Sequence, residues 1–378
     1  MPEKLAQLMR DEADAMRVPA PTPETILRAG RGVRRRRQLL QATGTLAVLG
    51  AVVAAGLTVI PRNSTELTAQ QRFDRAAPAA AYSEYGAFSA GKVVYVGNHR
   101  VKFDQLIKAI YYTSEGVLVR AGRSAATDSA GPSRYTLIRP DGSVTNVALR
   151  MGDRVAGTDP DSPNVAYAAP TGDPERWDMV VMNVVTGKQV ASTTVTGKFT
   201  WGGWEAPPMD LQGSRMWAHF DDGWLEYDWH TGATRMVPGT NRTFETAHGR
   251  YVVQNRTQWT VHDFVSGDQV SQLRVTPDTY GFFSPDGRYL RFSDQMAVIG
   301  EDATKAPRPK FFDVTTGRTH SISRVAEQYG WTPDGKTLVV DARKDSVTVC
   351  NPGSGSCETV HLAIADRAVK LGGEPYES

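Results

Sequence analysis

Five tryptophans, Trp201, Trp204, Trp217, Trp224 and Trp229, fall close together beside Asp221, Asp222, Glu226 and Asp228. Ring faces stack on apolar surfaces while carboxylates orient hydroxyls or amines, so this mixture suits sugar or peptide binding. Large aromatics also fill cores, and Trp217, Trp224 and Trp229 sit in strand-like runs that favour packing. Trp201 and Trp204 stand in the glycine-bearing segment TWGGWE, where core packing and ligand contact are both open. The candidate ligand-binding set is therefore Trp201, Trp204, Asp221 and Asp222.

Little else in the chain suggests a reaction. There is no GxSxG elbow and no HExxH. The seven histidines are scattered from His99 to His361 without metal-ligand spacing. DPDSPN, from Asp159 to Asn164, offers oxygen ligands, but its prolines spoil an EF-type loop and a solvated turn is expected. No catalytic residue, metal or cofactor is assigned.

The two cysteines, Cys350 and Cys357, flank the turn NPGSGS. Aligned on turn glycines with the hairpin at Phe311, they take the places of Phe312 and Thr319, which should face one another across paired strands. A disulfide pinning this hairpin is predicted, in keeping with an oxidising compartment. The spacing is not the CxxC that depresses a thiol pKa.

The elements that would position these residues are repeated. FSPDGRYLRF (Phe283 to Phe292) and WTPDGKTLVV (Trp331 to Val340) each read as strand, tight turn and strand. Pro285, Asp286 and Gly287, and again Pro333, Asp334 and Gly335, supply the turns, because Pro presets φ at one corner and Gly accepts a positive φ. A second phrase, apolar strand, Thr/Ser-Gly turn and strand, recurs at Val180, Leu225, Val261 and Phe311, with looser copies at Tyr135 and Val347. Its turn glycines, Gly142, Gly187, Gly232, Gly267, Gly317 and Gly355, are 45, 45, 35, 50 and 38 residues apart. Roughly 40–45 residues holding about four short strands is the period of a propeller blade.

The PDG phrase and its following hairpin resemble the WD40-like propeller repeat of the TolB family, found also in the propellers of prolyl oligopeptidases. The resemblance is good over 283–322 and 331–360 and weaker over 87–273; the full Gly-His and Trp-Asp signature of eukaryotic WD40 repeats is missing. It implies an all-β propeller and a habit of binding, not a reaction. Peptidases with such propellers carry a separate α/β-hydrolase domain, which is not expected here. Six hairpins mark six blades. Strand-like sequence at Gly91–Gly97 and His99–Phe103 can pair with a C-terminal strand near Ala368–Leu371 as a composite seventh, so seven four-stranded blades over 87–372 are expected, with six the alternative. Residues 373–378 form a short tail.

Ahead of the propeller, Leu39 to Ile60 carries no charge over 22 residues. As a helix rising ~1.5 Å per residue it reaches about 33 Å, enough for a hydrocarbon core of ~30 Å. Arg28, Arg31, Arg34, Arg35, Arg36 and Arg37 precede it, which by the positive-inside rule leaves residues 1–38 in the cytoplasm and the propeller outside. An uncleaved signal anchor over 39–60 is favoured over cleavage near Val53-Ala54-Ala55, since the preceding region is long for a signal peptide. Polar, alanine-rich 61–86 is expected as a tether. Residues 1–37 hold nine Lys/Arg and five Asp/Glu, leaving 34 against 36 in the rest, so the basic excess faces lipid and is no nucleic-acid footprint. In the tail, Leu5, Leu8, Met9 and Met16 form a narrow apolar stripe on a short predicted helix, a candidate dock for a cytoplasmic protein.

Taken whole, the chain resembles the propeller-bearing single-pass membrane proteins of actinobacteria. The expected function is non-enzymatic binding or scaffolding at the cell envelope, with a protein, peptide or glycan on the propeller. Two alternatives stand beside it: a transmembrane regulator resembling anti-sigma factors, which senses an outside ligand, and a propeller hydrolase with its site in the central channel.

Overall fold

The computed structural model divides into two units, Met1–Arg37 and Gln38–Ser378. It describes residues 67–68, 78–125, 133–149, 151, 156–200, 205–240, 246–277, 279–293, 309–322, 328–340, 346–361 and 369–373, all in the second unit. The apolar run 39–60 and the tail residues Leu5, Leu8, Met9 and Met16 lie outside them. Among the described residues no helix is long and apolar enough to cross a membrane.

Seven antiparallel sheets form a seven-bladed β-propeller. From the innermost strand outward, blade 1 is Val369–Leu371, Ala87–Ala90, Val93–Val96 and His99–Lys102. Blade 2 is Leu106–Thr113, Gly116–Gly122, Arg134–Ile138 and Val144–Val147. Blade 3 is Gly157–Thr158, Asn164–Pro170, Arg176–Asn183 and Gln189–Thr196, and blade 4 is Met209–Gln212, Arg215–Phe220, Gly223–Asp228 and Ala233–Met236. Blade 5 is Thr246–Ala247, Arg250–Gln254, Gln258–Asp263 and Gln269–Arg274, and blade 6 is Tyr280–Phe283, Tyr289–Ser293, Lys310–Asp313 and Arg318–Ser321. Blade 7 is Gln328–Trp331, Thr337–Val340, Ser346–Cys350 and Cys357–His361.

Blade 1 is the composite blade expected from sequence, with one difference. The C-terminal strand pairs not with Val93–Val96 but with Ala87–Ala90, which lies between them (Phe88 opposite Leu371, Ala90 opposite Val369). Joining the two ends of the ring in one sheet leaves no break between first and last blade. Tyr112 of blade 2 reinforces the closure: its hydroxyl accepts from the Ala87 amide at 2.9 Å and donates to the Trp331 carbonyl.

The core is divided among the blade interfaces. Among the described residues, seven apolar clusters each join two neighbouring blades, such as Phe88, Tyr95 and Leu371 against Leu338, Val340 and Val349 between blades 1 and 7, or Phe282 and Phe311 against Trp331 and Val339 between 6 and 7. Alternation explains this: successive residues face opposite sides of a sheet, and both sides of each blade are covered, so central strands such as Gly116–Gly122 are buried throughout.

Local chemistry sets the turns. In the third-to-fourth strand hairpins an Asn or Asp stands four residues before the turn glycine: Asn183, Asp228, Asp263, Asp313 and Asn351. Each accepts backbone N–H bonds through its side chain, as Asp263 Oδ1 does from Val265 at 2.8 Å and Ser266 at 2.9 Å. The glycine then closes the turn at positive φ, 63° to 76° at Gly187, Gly232, Gly267, Gly317 and Gly355. Cys350 and Cys357 are directly paired across such a hairpin, 4.1 Å apart at Cα, and are joined by a disulfide. Phe312 and Thr319 pair in the same way, as the alignment required.

The segment expected as a tether contains two described elements. Leu67–Thr68 adds a parallel fifth strand to the outer edge of blade 7. Pro78–Tyr85 is a helix, and its Tyr82 is buried, donating its hydroxyl to the carbonyls of Thr113 and Gly116 at 3.1 and 3.2 Å. A two-residue strand leaves no alternation to read, and the helix is held by side-chain contacts rather than amphipathic pattern, so neither was visible in sequence.

Candidate functional site

The strand order gives the propeller two unlike ends. At the hairpin end lie the turns from first to second and from third to fourth strand. At the other, the connection end, lie the turns from second to third strand and the links between blades. Asp221 and Asp222 form the second-to-third turn of blade 4. Thr200, at the link entering that blade, donates to Asp221 through its amide at 3.0 Å and its hydroxyl at 2.8 Å. The Asp221 amide donates in turn to the Lys198 carbonyl at 2.8 Å. This brings the link and the turn together; Trp201 and Trp204, which follow Thr200, lie outside the described residues. Asp222 is exposed and its neighbour half-buried.

The remaining members of the aromatic and acidic cluster belong to the core. Trp217 and Trp224 are fully buried, at 0% and 1% exposure, and both pack on Phe264 of blade 5, Trp217 stacked at 4.8 Å. Trp229 packs, half-buried, against the cluster between blades 3 and 4. Glu226 is buried and accepts from Trp217 Nε1 at 3.1 Å and from Arg235 at 2.9 Å, and Arg235 also donates to the Phe264 carbonyl at 2.8 Å. Asp228 pairs with Arg215 at 3.3 Å and caps its own hairpin. Behind the Asp221 turn, His219 stacks on Trp224 with ring centroids 4.5 Å apart. Burial pushes its pKa down to about 3, opposed by the charge of Asp221.

At the hairpin end the repeated PDG turns are structural. In blade 6, Gly287 donates to the Ser284 carbonyl at 2.9 Å, and Ser284 Oγ accepts from the Arg288 amide at 2.9 Å. The Gly287 carbonyl receives Arg250 of blade 5 at 2.7 Å. Asp286 is pushed up to about 7 by burial, against the opposing bonds from Ser284 and Arg288. Blade 7 repeats the arrangement, with Thr332 Oγ1 accepting from the Lys336 amide at 2.7 Å and Gly335 donating to the Thr332 carbonyl at 3.1 Å.

DPDSPN departs from the solvated turn expected of it. Asp159 is buried, at 2% exposure, because blade 4 closes over it. Its Oδ2 accepts from the Gly213 amide at 2.9 Å, and its Oδ1 accepts from the Asp161 amide at 2.8 Å. His248 of blade 5, at φ 50°, places Nδ1 3.7 Å from Asp159 Oδ1. Asp210 of blade 4 stands nearby, pushed up to about 7 by burial and, to a lesser degree, by the charge of Asp159. Three blades thus meet at one cluster. Sequence reasoning missed it because His248 and Asp210 are remote from Asp159 along the chain; no local motif records the approach.

No known protein family's profile matches the chain, and no curated protein does. Among solved structures it is similar to Kuenenia stuttgartiensis hydrazine synthase, at 10% identity over 71% of this chain and 99% of that one, with a TM-score of 0.39. It is similar to TolB from Acinetobacter baumannii at 9% identity, 76% and 67% coverage and a TM-score of 0.39. It is also similar to the β-propeller domain of Myceliophteria thermophila Cps50 (Swd1), at 9% identity, 71% and 91% coverage and a TM-score of 0.44. The sheet order itself makes this chain a seven-bladed β-propeller.

Proposed function

We propose that this protein is a membrane-anchored, extracytoplasmic propeller that binds an envelope protein, peptide or glycan without transforming it. The observation that carries the reading is the Asp221–Thr200 bonding at the connection end of blade 4. It ties Thr200 to the turn that carries the exposed Asp222, and Trp201 and Trp204 follow Thr200 in the sequence, a mixture of residue types suited to binding sugars or peptides. The uncharged 39–60 run and the arginines before it support anchoring with the propeller outside. The disulfide suits that compartment.

The test is site-specific photocrosslinking of the full-length protein in its own membranes. A crosslinker at Asp222 should yield a defined adduct that one at Val190, exposed on the outer strand of blade 3, does not. The same adduct pattern from both positions would remove the connection end of blade 4 as the binding surface.

A further inference from the structure

Asp159 and Asp161 of blade 3 and His248 of blade 5 converge at the hairpin end. One ligand atom from each lies within 4.8 Å of those of the other two. Ligands sharing a four-coordinate ion at ~2.0–2.2 Å stand roughly 3.3–3.6 Å apart. The Asp159 to His248 separation of 3.7 Å is already close to that, and the exposed Asp161 side chain can close the remaining gap. Asp159 keeps acceptor capacity beyond its two amide bonds, since a carboxylate offers about four lone-pair sites.

A second observation points the same way. Asp210, 93% buried from its 7% exposure, carries an Oδ2 with no hydrogen-bond partner in good geometry. Its carboxyl is turned toward the backbone of His248 and Gly249 and feels the charge of Asp159. His248 Nδ1 is likewise shielded from solvent without a hydrogen bond. Buried polar atoms without a well-formed hydrogen bond are rare because each forfeits its hydration. A cation here would give the imidazole nitrogen a positive centre, and water bound to it could donate to Asp210 Oδ2.

We propose that Asp159, Asp161 and His248 form a site for a divalent transition-metal ion, with Asp210 as the outer acceptor, joining blades 3, 4 and 5. One imidazole with two carboxylates favours a zinc or manganese type of ion over calcium, which prefers an all-oxygen shell. Three protein ligands leave a position open to water.

The experiment titrates Zn2+, Mn2+ and Ca2+ into the full-length, detergent-solubilised protein after chelator treatment and dialysis. Calorimetry gives stoichiometry, and Co2+ absorption reports the ligand field. One equivalent of Zn2+ or Mn2+ should bind, with Ca2+ at least about tenfold weaker. Asp161→Ala, at an exposed position, should weaken binding at least tenfold and change the Co2+ spectrum. His248→Asn keeps a residue that tolerates positive φ and should lose the nitrogen-ligand signature. Asp210→Asn should weaken binding about tenfold, as loss of an outer partner does. No saturable binding, or equal binding in wild type, Asp161→Ala and His248→Asn, would overturn the site.

Discussion

Replacing Glu226 with Ala should destabilise the propeller by about 3 kcal/mol. The carboxylate is 5% exposed and sits between Trp217 Nε1 and Arg235. Trp217 is wholly buried, so its N–H would lose its acceptor with no water to replace it, at about 1–3 kcal/mol. Loss of one buried methylene adds about 0.8 kcal/mol. The Arg235 side chain is 45% exposed, so water can take over its lost bond and this part stays below about 1 kcal/mol. Glu226→Gln keeps the shape and an acceptor and should lose only about 1–2 kcal/mol. Urea unfolding followed by tryptophan fluorescence measures each value. The decisive comparison is the Trp217→Phe background, which has no N–H to orphan: there Glu226→Ala should cost about 1–2 kcal/mol less. An Ala variant within about 1 kcal/mol of wild type, or an undiminished loss in the Phe background, would refute a buried carboxylate joining blades 4 and 5.

The remaining predictions concern the turns, the disulfide and pH. Reducing Cys350–Cys357 opens a loop with a sequence separation of 7, worth about 2.5 kcal/mol by loop entropy; urea midpoints with and without reductant test this, and identical midpoints would contradict it. Gly287→Ala combines φ 65° with a Cβ 2.8 Å from the Ala247 carbonyl of the next blade, whereas Gly267→Ala has φ 76° and open space around it. Thermal unfolding should show the first losing about 2–4 kcal/mol and the second about 1 kcal/mol; equal losses would mean that the blade interface is not tight there. His219 has a folded pKa of about 3 against 6.5 unfolded, so its contribution is full above pH 6.5 and is lost as pH falls from 6.5 toward 3. Stability measured across that range should fall less steeply in His219→Phe, which retains a ring against Trp224; unchanged slopes would count against a buried neutral imidazole.

What could be read from the residues alone was set by contacts only a few positions apart. A Pro-Asp-Gly or an Asn/Asp-to-glycine hairpin is specified by its own φ preferences and side-chain bonds, so the turns, blade period and pairing of Cys350 with Cys357 were legible before any coordinate. Even the composite blade followed from strand-like sequence left over at both ends. Its intervening strand, Ala87–Ala90, is only four residues long and gave no pattern.

The tertiary structure decided which blade each side chain meets. Trp217 and Trp224 became core because Phe264 of blade 5 covers them, while Asp222, in the same blade, stayed at the surface. Asp159 reads as a turn residue in its own segment, yet Gly213 and His248, from two other blades, enclose it. The physical reason is that hydrogen bonds within a blade join strands nearby in sequence, whereas burial and charge proximity arise between blades. Those neighbours are chosen only when the ring closes, and no periodicity along the chain encodes them.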